Sequence, residues 1–528
     1  MTITVREAFF DFCRTVGMTT IFGNPGSTEI KMYREFASDF TYVLALQETV
    51  AVAAAAGHAM GTGKPALVSL HSAGGVGHSL GAVFNAYRDR VPVVIVAGQQ
   101  TRAMLPHHPF LGADEPTMFP RPYVKWSRQP ERAEDVPAAL AEAYRVATTP
   151  PCGPVFLSVP EDDWDRPAQP VPAHEVRTAF APDPKGVAEL AEALNAAANP
   201  VLVVGPGVDD EGALPEVVEL AERIGAPVWI SPLSGRSGFP EDHALFRGFL
   251  PPVRGQVRER LHGHDVVLVL GAPIFTFHVH EEGPTLPEGA RLFHLDCDPA
   301  QIAWAPVGTS LLTTIRSGLH ALLPSVQKVD RPLPEPRFRP ARVQAADPID
   351  AGHVMDTLRD LIPEGAIVVE EVPSYRATVH SRLPTVQTGG FLTTGSGALG
   401  WGLPVAVGRA LAAQGERVVC IIGDGSIMYS IQALWTAAKF EVPLTVLVLN
   451  NQGYGAVEQL ARRFDNPDMP GMHVTGLDIP SISQGMGVPS RTVHSVADLE
   501  AALAGSLSIS GPYVLDVRVA PLQSAAYE

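Results

Sequence analysis

The sequence predicts an α/β protein of three domains with mainly parallel sheets, and two observations predict this class. Short apolar runs rich in Val, Ile and Leu alternate with helical patterns along the chain, as is typical of buried parallel strands. Two proline-rich stretches, 165–186 and 326–348, cannot sustain a core and separate three such blocks. The predicted domains are therefore residues 1–170, 187–327 and 349–528.

Each block contains several apolar runs that we predict to be strands. In the first block they are TIFGNPG, YVLAL, ALVSL, VPVVIVAG and GPVFLSV. In the second they are VLVVG, APVWI, DVVLVLG and RLFHLD, and in the third AIVVEEV, VVCIIG, LTVLVLN and YVLDVRV. Helical patterns lie between them, which predicts strand–helix–strand units with right-handed crossovers.

The composition is that of an ordinary globular protein, with 46% hydrophobic and 18% charged residues. The formal charge of −17 argues against nucleic acid and anionic membrane surfaces as partners. No apolar run approaches the roughly 18 residues of a membrane span, and the N-terminal segment predicts an amphipathic helix instead of a signal peptide. The four cysteines are far apart, without the spacing of a metal site. We expect a cytoplasmic protein with reduced thiols.

The first block places three polar residues where its predicted strands end. Glu48 follows the strand YVLAL and opens an Ala-rich helix, where an acidic residue also favours the helix dipole. Ser27 lies in the turn FGNPGS and is an N-cap candidate. His71 ends the strand ALVSL before a Gly-rich loop, a place suited to chemistry, although a structural histidine fits there too.

The second block contains two weaker signals. The sequence GPG after VLVVG is similar to a dinucleotide-binding turn, but the full glycine spacing is absent. His278 and His280 alternate along an extended segment and would face the same way. No third ligand stands at a suitable spacing, so these two residues do not indicate a metal site.

The third block contains a strand–helix–strand unit over residues 418–451 that carries the most specific signal. Asp424 and Asn451 follow its two predicted strands, so both should lie at the carboxyl edge of the sheet, where open α/β sheets bind ligands. Their oxygen atoms suit Mg²⁺ together with a phosphate-bearing ligand, and Gly425 would allow close approach of that ligand. Taken singly, Gly423-Asp424-Gly425 would indicate only a turn, and Asn450-Asn451 only a strand cap.

Ordered segments along nearly the whole chain resemble the thiamine diphosphate-dependent 2-keto acid decarboxylases, and most of all their benzoylformate branch. The matching segments are FGNPGS, LALQE, HSAGG, AGQQTRAM, PRPYVKWS, GPVFLSVP, GHDVVLVLGAPIF, ALGWGLP and GDG…NNQGYGA. The resemblance implies a thiamine diphosphate-binding fold with pyrimidine, middle and diphosphate domains. It also implies a cofactor bound between the first block of one subunit and the third block of another, and hence at least a homodimer, commonly a homotetramer.

The resemblance implies a role for each candidate residue. Glu48 would hydrogen-bond the pyrimidine ring of thiamine diphosphate, Ser27 would orient the substrate carboxylate, and His71 and His278 would transfer protons. Further cofactor contacts would come from Gly397, Leu399, Gly425, Ser426, Tyr454 and Ser374. Mg²⁺ or Ca²⁺ would be held by Asp424, Asn451 and the carbonyl of Gly453.

The implied reaction is the non-oxidative decarboxylation of an aromatic or related 2-keto acid to an aldehyde and CO₂ through the cofactor ylid. The pocket wall departs from the benzoylformate branch: Thr393 and Leu460 stand where phenylalanines are expected, and Val457 replaces a leucine. Phe110 and Leu111 keep one apolar wall. These differences leave the reaction type firmer than the substrate.

Two other functions remain open. The first is a carboligase similar to acetolactate synthases, enzymes that generally lack a histidine pair such as His71 and His278 and often carry FAD in the middle domain. The second is a non-catalytic member kept for assembly, against which the intact Glu48, Asp424 and Asn451 argue.

Overall fold

Three six-stranded sheets organise the chain in the computed structural model, and all neighbouring strands within each of them are parallel. The structure describes residues 3–332, 334–335, 337, 339–524 and 526–527. The remaining positions, which fall in the predicted first and third domains and the second linker, lie outside the described residues. The predicted α/β class with mainly parallel sheets is confirmed.

The N-terminal domain has the strand order β3-β2-β4-β5-β7-β6, and a separate antiparallel pair joins β1 to β8. Its helices are α1 (Val5–Val16), α2 (Glu48–Thr62), α3 (Ser72–Arg88) and α4 (Val136–Thr148). Its strands are β1 (Ile3–Thr4), β2 (Thr20–Gly23), β3 (Thr41–Leu44), β4 (Ala66–Leu70), β5 (Val93–Gln99), β6 (Ser127–Arg128), β7 (Val155–Pro160) and β8 (Pro167–Ala168).

The middle domain has the order β11-β10-β9-β12-β13-β14, so the strand order reverses between β9 and β12. Its strands are β9 (Pro200–Val204), β10 (Val228–Ile230), β11 (Phe246–Phe249), β12 (Val266–Leu270), β13 (Arg291–Asp296) and β14 (Thr309–Leu312). Its helices are α5 (Pro184–Ala196), α6 (Pro206–Asp210), α7 (Leu214–Ile224), α8 (Arg254–Arg260), α9 (Pro299–Trp304) and α10 (Ile315–Leu322).

The C-terminal domain has the order β16-β15-β17-β18-β20-β19, which repeats the order of the N-terminal sheet. Its strands are β15 (Ile367–Glu371), β16 (Phe391–Thr393), β17 (Val418–Gly423), β18 (Leu444–Asn450), β19 (Ser490–Val493) and β20 (Tyr513–Arg518). Its helices are α11 (Ala351–Leu361), α12 (Arg376–Arg382), α13 (Gly402–Ala412), α14 (Asp424–Ile427), α15 (Ala433–Lys439), α16 (Gly455–Arg463), α17 (Ile479–Gly485) and α18 (Val496–Ser508).

Five strands of the large sheets are absent from the sequence prediction, and all five lie at sheet edges. They are β6, β11, β14, β16 and β19. An edge strand has one neighbour and is short in this protein, so it does not produce the long apolar run of a central strand. The central strands, in contrast, lie where the apolar runs predict them.

One hydrophobic core is shared by the N-terminal and C-terminal domains, because α2 packs directly against α13. The Ala-rich stretch of α2 is buried almost all round, as is typical of an interior helix. Two glycines permit the contact: a Cβ on Gly57 would lie 2.1 Å from the Val405 carbonyl oxygen, and one on Gly408 would lie 1.8 Å from that of Ala54. The helix backbones therefore touch.

The described helices include none that is both long and apolar enough to span a membrane. The four cysteines are free thiols, of which Cys13, Cys297 and Cys420 are buried. Burial raises the pKa of the Cys297 thiol to about 12, so this side chain is an inert core group.

Candidate active site

The N-terminal domain presents Glu48 in the first turn of α2, just after β3 ends. Gln47 caps this helix by accepting hydrogen bonds from two backbone N–H groups of the first turn. Glu48 is 9% exposed, and its two carboxylate oxygens lie 3.2 Å from Asn24 Nδ2 and 3.2 Å from His78 Nδ1. A carboxylate oxygen has a second lone pair, so Glu48 keeps capacity to accept a hydrogen bond from a ligand.

His71 lies at the carboxyl end of β4 and precedes the first residue of α3, as the sequence predicts. Its Nδ1 is 3.0 Å from Glu29 Oε2 and 3.0 Å from Thr28 Oγ1. An ionised carboxylate only accepts hydrogen bonds, so Nδ1 carries a hydrogen and donates it to Glu29. Nε2 is then the nitrogen that can exchange a proton with a substrate.

Glu29 is a site residue that the sequence reasoning missed. It is 2% exposed and accepts hydrogen bonds from the N–H groups of Gly26 and Gly98 at 2.9 and 3.1 Å, and from the Thr28 hydroxyl at 2.7 Å. These donors fix the carboxylate that holds His71. The available signal was local: a Glu three residues after a turn residue is the spacing of a capping box.

Ser27 lies beside this pair, on the exposed side of the FGNPGS turn. The N-cap prediction for Ser27 is wrong, because Gly26 occupies the cap position and Ser27 is the first residue of a short 3-10 helix, Ser27–Glu29. The reason is that Gly26 packs against an imidazole ring: a Cβ there would lie 2.1 Å from His71 Cγ. Ser27 is an exposed residue between Gly26 and Thr28, both of which lie against His71.

Asp424 and Asn451 lie at the ends of neighbouring parallel strands, β17 and β18, whose pairing places Gly423 opposite Leu449. Asp424 is 2% exposed, its Oδ2 has no hydrogen-bond partner within the described part of the chain, and burial raises its pKa to about 6. A buried carboxylate without a partner is costly unless a cation compensates it, so this position fits a divalent metal ion.

The candidate metal ligands at this edge are the Asp424 carboxylate, the Asn451 amide and the Gly453 backbone carbonyl. No three His, Cys, Asp or Glu side chains converge on a metal position anywhere in the described ranges. Asn451 and Gly453 lie in one turn, in which Asn451 Oδ1 accepts the N–H of Gly453 at 3.2 Å. A hard ion with few protein ligands completes its shell with ligand phosphates and water, as Mg²⁺ usually does.

The helix predicted between β17 and β18 is divided in two. α14 comprises only Asp424–Ile427, and α15 begins at Ala433 after an intervening turn. The single helix predicted between these strands is therefore wrong, and the apolar residues Ile431 and Leu434 near the start of α15 are buried. Because of this break, the buried Asp424 lies in α14, a helix of a single turn.

The further residues predicted to contact the diphosphate lie close to this edge of the sheet. A Cβ on Gly425 would lie 2.5 Å from Tyr454 Cε1, so the tyrosine ring lies directly against this glycine. Ser426 is 5% exposed, and Ser374 Oγ accepts the N–H of Ala456 at 2.9 Å at the start of α16. The residues predicted to contact a diphosphate thus lie on adjoining segments.

Gly397 and Leu399 lie in the loop between β16 and α13. Gly397 has φ +77°, a conformation that favours glycine, and Leu399 is half-buried. The far end of the loop is held by Glu371, a buried residue that the sequence reasoning did not single out. Its carboxylate accepts N–H groups from three consecutive residues, 400 to 402, at 2.9, 2.7 and 2.5 Å.

His278 lies in an exposed loop of the middle domain, and its Nδ1 is 2.6 Å from the hydroxyl of Tyr527. The rings of these two residues pack edge to face. Among the described contacts, no hydrogen bond joins His278 to His71, Ser27 or Glu48. One chain therefore assembles the Ser27–His71 group and the Asp424–Asn451 group, but does not join His278 to either by a hydrogen bond.

The predicted pocket walls have mixed environments. Phe110 is 85% exposed and Leu111 is 42% exposed, whereas Val457 and Leu460 are half-buried on α16. Thr393 is 3% exposed, and its hydroxyl donates to Glu370 Oε2 at 2.8 Å and accepts from Arg376 Nη2 at 2.9 Å. Its place in the substrate pocket stays a prediction.

The Gly-rich turn after β9 is closed by its neighbours. The N–H groups of Gly205 and Gly207 donate to the carbonyl oxygens of Leu270 and Gly271 at 2.9 and 3.0 Å. A Cβ on Gly205 would lie 2.4 Å from that of Ala272. These donors are already satisfied, so the turn does not offer them to a diphosphate.

A cavity of about 220 Å³ lies next to this turn, between the N-terminal and middle domains. Two of its three arginines are paired: Arg90 with Asp296 and Asp298 at 3.1 and 3.2 Å, and Arg236 with Asp209 at 3.4 Å. Those two guanidinium charges are already neutralised within the protein.

Three family models match the chain in order. They are the thiamine pyrophosphate enzyme N-terminal TPP binding domain at residues 3–117, the central domain at 187–322 and the C-terminal TPP binding domain at 374–517. The Glu48–His71 group lies within the first match, and Asp424 with Asn451 lies within the third.

The chain is also similar to individual proteins over nearly its whole length. It is 42% identical over 519 residues to the benzoylformate decarboxylase of Pseudomonas aeruginosa, which covers 97% of this chain and 98% of that protein. The crystal structure of benzoylformate decarboxylase from Polynucleobacter necessarius matches with a TM-score of 0.97 at 37% identity, over 99% of both chains. The thiamine diphosphate-dependent 4-hydroxybenzoylformate decarboxylase of Rhodococcus jostii RHA1 matches with a TM-score of 0.96 at 37% identity, over 99% of this chain and 100% of that one.

Proposed function

Because the chain belongs to the thiamine pyrophosphate-dependent 2-keto acid decarboxylases, we propose that it converts benzoylformate and related aromatic 2-keto acids to aldehyde and CO₂. The observation that supports this function best is the His71–Glu29 pair beside Ser27. It provides a proton-transfer group next to a hydroxyl that can bind a substrate carboxylate.

Thiamine diphosphate, when bound, supplies the electron sink for the carbanion that loss of CO₂ leaves behind. The chain supplies the remaining functions. With the cofactor bound, Glu48 would hydrogen-bond a ring nitrogen of its pyrimidine, and the Gly397 carbonyl would accept a hydrogen bond from its amino group. Ser27 orients the carboxylate of the substrate. His71, through Nε2, and His278 move protons at the carbonyl oxygen and at the carbon that becomes the aldehyde, which takes up one proton in each turnover.

Asp424, Asn451 and the Gly453 carbonyl would hold Mg²⁺, or Ca²⁺, against the diphosphate. The buried, unpartnered Oδ2 of Asp424 supports this assignment. Gly425, Ser426, Tyr454 and Ser374 would line the diphosphate, where their small size or hydroxyl groups allow close approach.

The structure favours this function over an acetolactate synthase-like carboligase. The turn that would bind the diphosphate of FAD in the middle domain, around Gly205, has its N–H groups bonded to protein carbonyls. The His71–Glu29 pair also favours the decarboxylase, because release of an aldehyde requires a proton-transfer group and a histidine can provide one. A purified protein that is yellow with bound FAD would favour the carboligase.

We propose that Phe110, Leu111, Thr393, Val457 and Leu460 form the substrate wall. An aliphatic leucine in place of an aromatic wall forfeits ring–ring contacts worth about 0.5–1.5 kcal/mol per pair. The enzyme should therefore accept benzoylformate with weaker discrimination against branched aliphatic 2-keto acids than an all-aromatic pocket would show.

The assembly proposed is a homodimer at least, and a homotetramer as in the family generally. The matches to both an N-terminal and a C-terminal TPP binding domain support a cofactor site built from two domains, and the resemblance to the family implies that the two come from different subunits. A cytoplasmic location is proposed from the net charge of −17 and the free cysteines.

The decisive experiment is aldehyde release from a panel of 2-keto acids, with Mg²⁺ and thiamine diphosphate added. We expect benzoylformate among the best substrates, and Leu460→Phe should raise its kcat/KM relative to a branched aliphatic acid. Acetolactate formation from pyruvate without aldehyde release would overturn the proposal. Unchanged selectivity in Leu460→Phe would refute only the wall assignment.

A further inference from the structure

Asn85 is a buried amide near the C-terminal end of α3 that binds a loop of the C-terminal domain. Its Nδ2 donates to the Ala398 carbonyl at 3.2 Å, and its Oδ1 accepts from the Thr394 hydroxyl at 3.2 Å and from the Ser396 hydroxyl. It is 1% exposed, and these partners are 309 to 313 positions away along the chain. One side chain of the N-terminal domain thus contacts three residues of a single loop.

The loop depends on these bonds for its shape. Ser396 Oγ lies 3.0 Å from the Thr394 hydroxyl and accepts the N–H of Ala398 at 3.0 Å, so the polar groups that face Asn85 also connect to one another. Gly397, in the middle, has φ +77° and nothing within 4 Å of the position of a Cβ. Its conformation is therefore determined by the neighbours on either side and not by packing at Gly397 itself.

A second contact from the same helix end supports the first. Asp89, four residues after Asn85, accepts the N–H of Gly395 on Oδ1 at 2.9 Å and is half-buried. The end of α3 therefore holds the loop through a side-chain amide and a carboxylate, on consecutive turns of chain.

We propose that Asn85 is a positioning residue for the cofactor: it holds residues 394–398 in the conformation that presents the Gly397 carbonyl and Leu399 to thiamine diphosphate. The inference rests on the proposed function, which makes those two residues cofactor contacts. Asn85 acts through the loop and does not touch the cofactor. By helix rise it lies roughly 20 Å along α3 from the end that carries His71, so it serves no direct role in proton transfer there.

The test is the dissociation constant of thiamine diphosphate, measured on the full chain by quenching of tryptophan fluorescence in the presence of Mg²⁺. Asn85→Ala leaves the polar groups of the loop without their partner and should raise this constant by about tenfold or more. The matched control is Asn195→Ala, because Asn195 also bonds distant backbone, the Ser325 carbonyl at 3.0 Å and the Gln327 N–H at 2.8 Å, in the middle domain. It should leave cofactor affinity unchanged.

A variant of the loop itself covers the case in which Asn85→Ala fails to fold. Ser396→Ala removes one partner of Asn85 and should raise the dissociation constant several-fold, and the double variant should show less than the product of the single effects. Wild-type affinity in Ser396→Ala, or independent effects in the double variant, would overturn the proposal. Failure of the proposed function would differ: the wild-type protein itself would bind no thiamine diphosphate.

Discussion

At the residue scale, the hydrogen bonding and the pKa of the candidate reactive groups depend on the neighbours that surround them more than on their own solvent exposure. His71 is a donor at Nδ1 because Glu29 is buried and already accepts hydrogen bonds from Gly26, Gly98 and Thr28. Asp424 is the opposite case, since burial raises its pKa to about 6 and one oxygen has no partner within the described residues. These environments fit the roles proposed for His71 in proton transfer and for Asp424 in metal binding.

Replacing the histidine tests the first group. His71→Ala should lower kcat/KM by about 10²–10⁴, the usual contribution of a proton-transfer group. Glu29 keeps its other three donors, so folding and cofactor affinity should persist, as melting temperature and cofactor titration would show. The control is His262→Ala, which removes an exposed histidine of the middle domain. Turnover close to wild type in His71→Ala would make the residue structural.

Removing the carboxylate tests the second group. Asp424→Ala should abolish tight binding of Mg²⁺ and thiamine diphosphate, measured by equilibrium dialysis, because the metal loses its only carboxylate among the proposed ligands. The cofactor-free variant should melt no lower than the cofactor-free wild type, since a costly unpaired acid is gone. Asp498→Ala, on the exposed face of α18, is the control. Normal cofactor binding by Asp424→Ala would contradict the metal assignment.

At the element scale, the contact between α2 and α13 joins the two domains that carry the site. Its closeness depends on Gly57 and Gly408, where backbone oxygens of the facing helix occupy the space of a side chain. A glycine in a helix normally costs about 1 kcal/mol relative to alanine, so its presence here reflects the packing and not helix propensity.

Two alanine substitutions with opposite expected signs test this contact. Gly408→Ala should destabilise the protein, with a cost of about 1–3 kcal/mol from overpacking, because the new Cβ would meet the Ala54 carbonyl. Gly505→Ala is the matched helical control in α18, where nothing lies within 4 Å of the new Cβ. It should raise the melting temperature slightly. Equal shifts in both variants would show that helix propensity alone is measured.

At the scale of the whole molecule, polar contacts join the middle and C-terminal domains at buried junctions. The N–H of Glu241 in the middle domain donates to the Thr385 carbonyl at 3.0 Å, and the N–H of Thr393 donates to the Gly235 carbonyl at 3.0 Å. Glu241 is 5% exposed, and burial raises the pKa of its carboxyl group to about 8. One junction between the middle and C-terminal domains therefore contains an acid that is protonated at neutral pH.

This junction should make stability depend on pH. The folded protein keeps Glu241 protonated up to about pH 8, whereas the unfolded chain ionises it near 4.5, so the folded state binds more protons between these values. The stabilising contribution of protonated Glu241 is fully present below about pH 4.5 and is lost as the pH rises through about 8. Melting temperature should fall over this range in wild type and fall less in Glu241→Gln. Parallel profiles would refute the assignment.

Local patterns were sufficient for much of this molecule. The apolar runs predicted every central strand, because strands such as β17 and β18 bury both faces and need continuous Val, Ile and Leu. Parallel pairing then placed Asp424 and Asn451 at one edge, since the strand ends that carry them must meet there. Five of the six edge strands, all except β3, and the break between α14 and α15 were not predicted, because they leave no distinctive periodicity.

The sequence by itself determined the fold class and the family and proposed the reactive side chains, because these depend on short segments and their order. Only the tertiary structure decided what holds them: Glu29 on His71, Asn85 on the loop around Gly397, and Glu370 with Arg376 around Thr393. Each such partnership joins residues that are distant along the chain or turned inward by packing. Hydrogen bonds of that kind follow from how helices and sheets pack together, and no local pattern of residues encodes them.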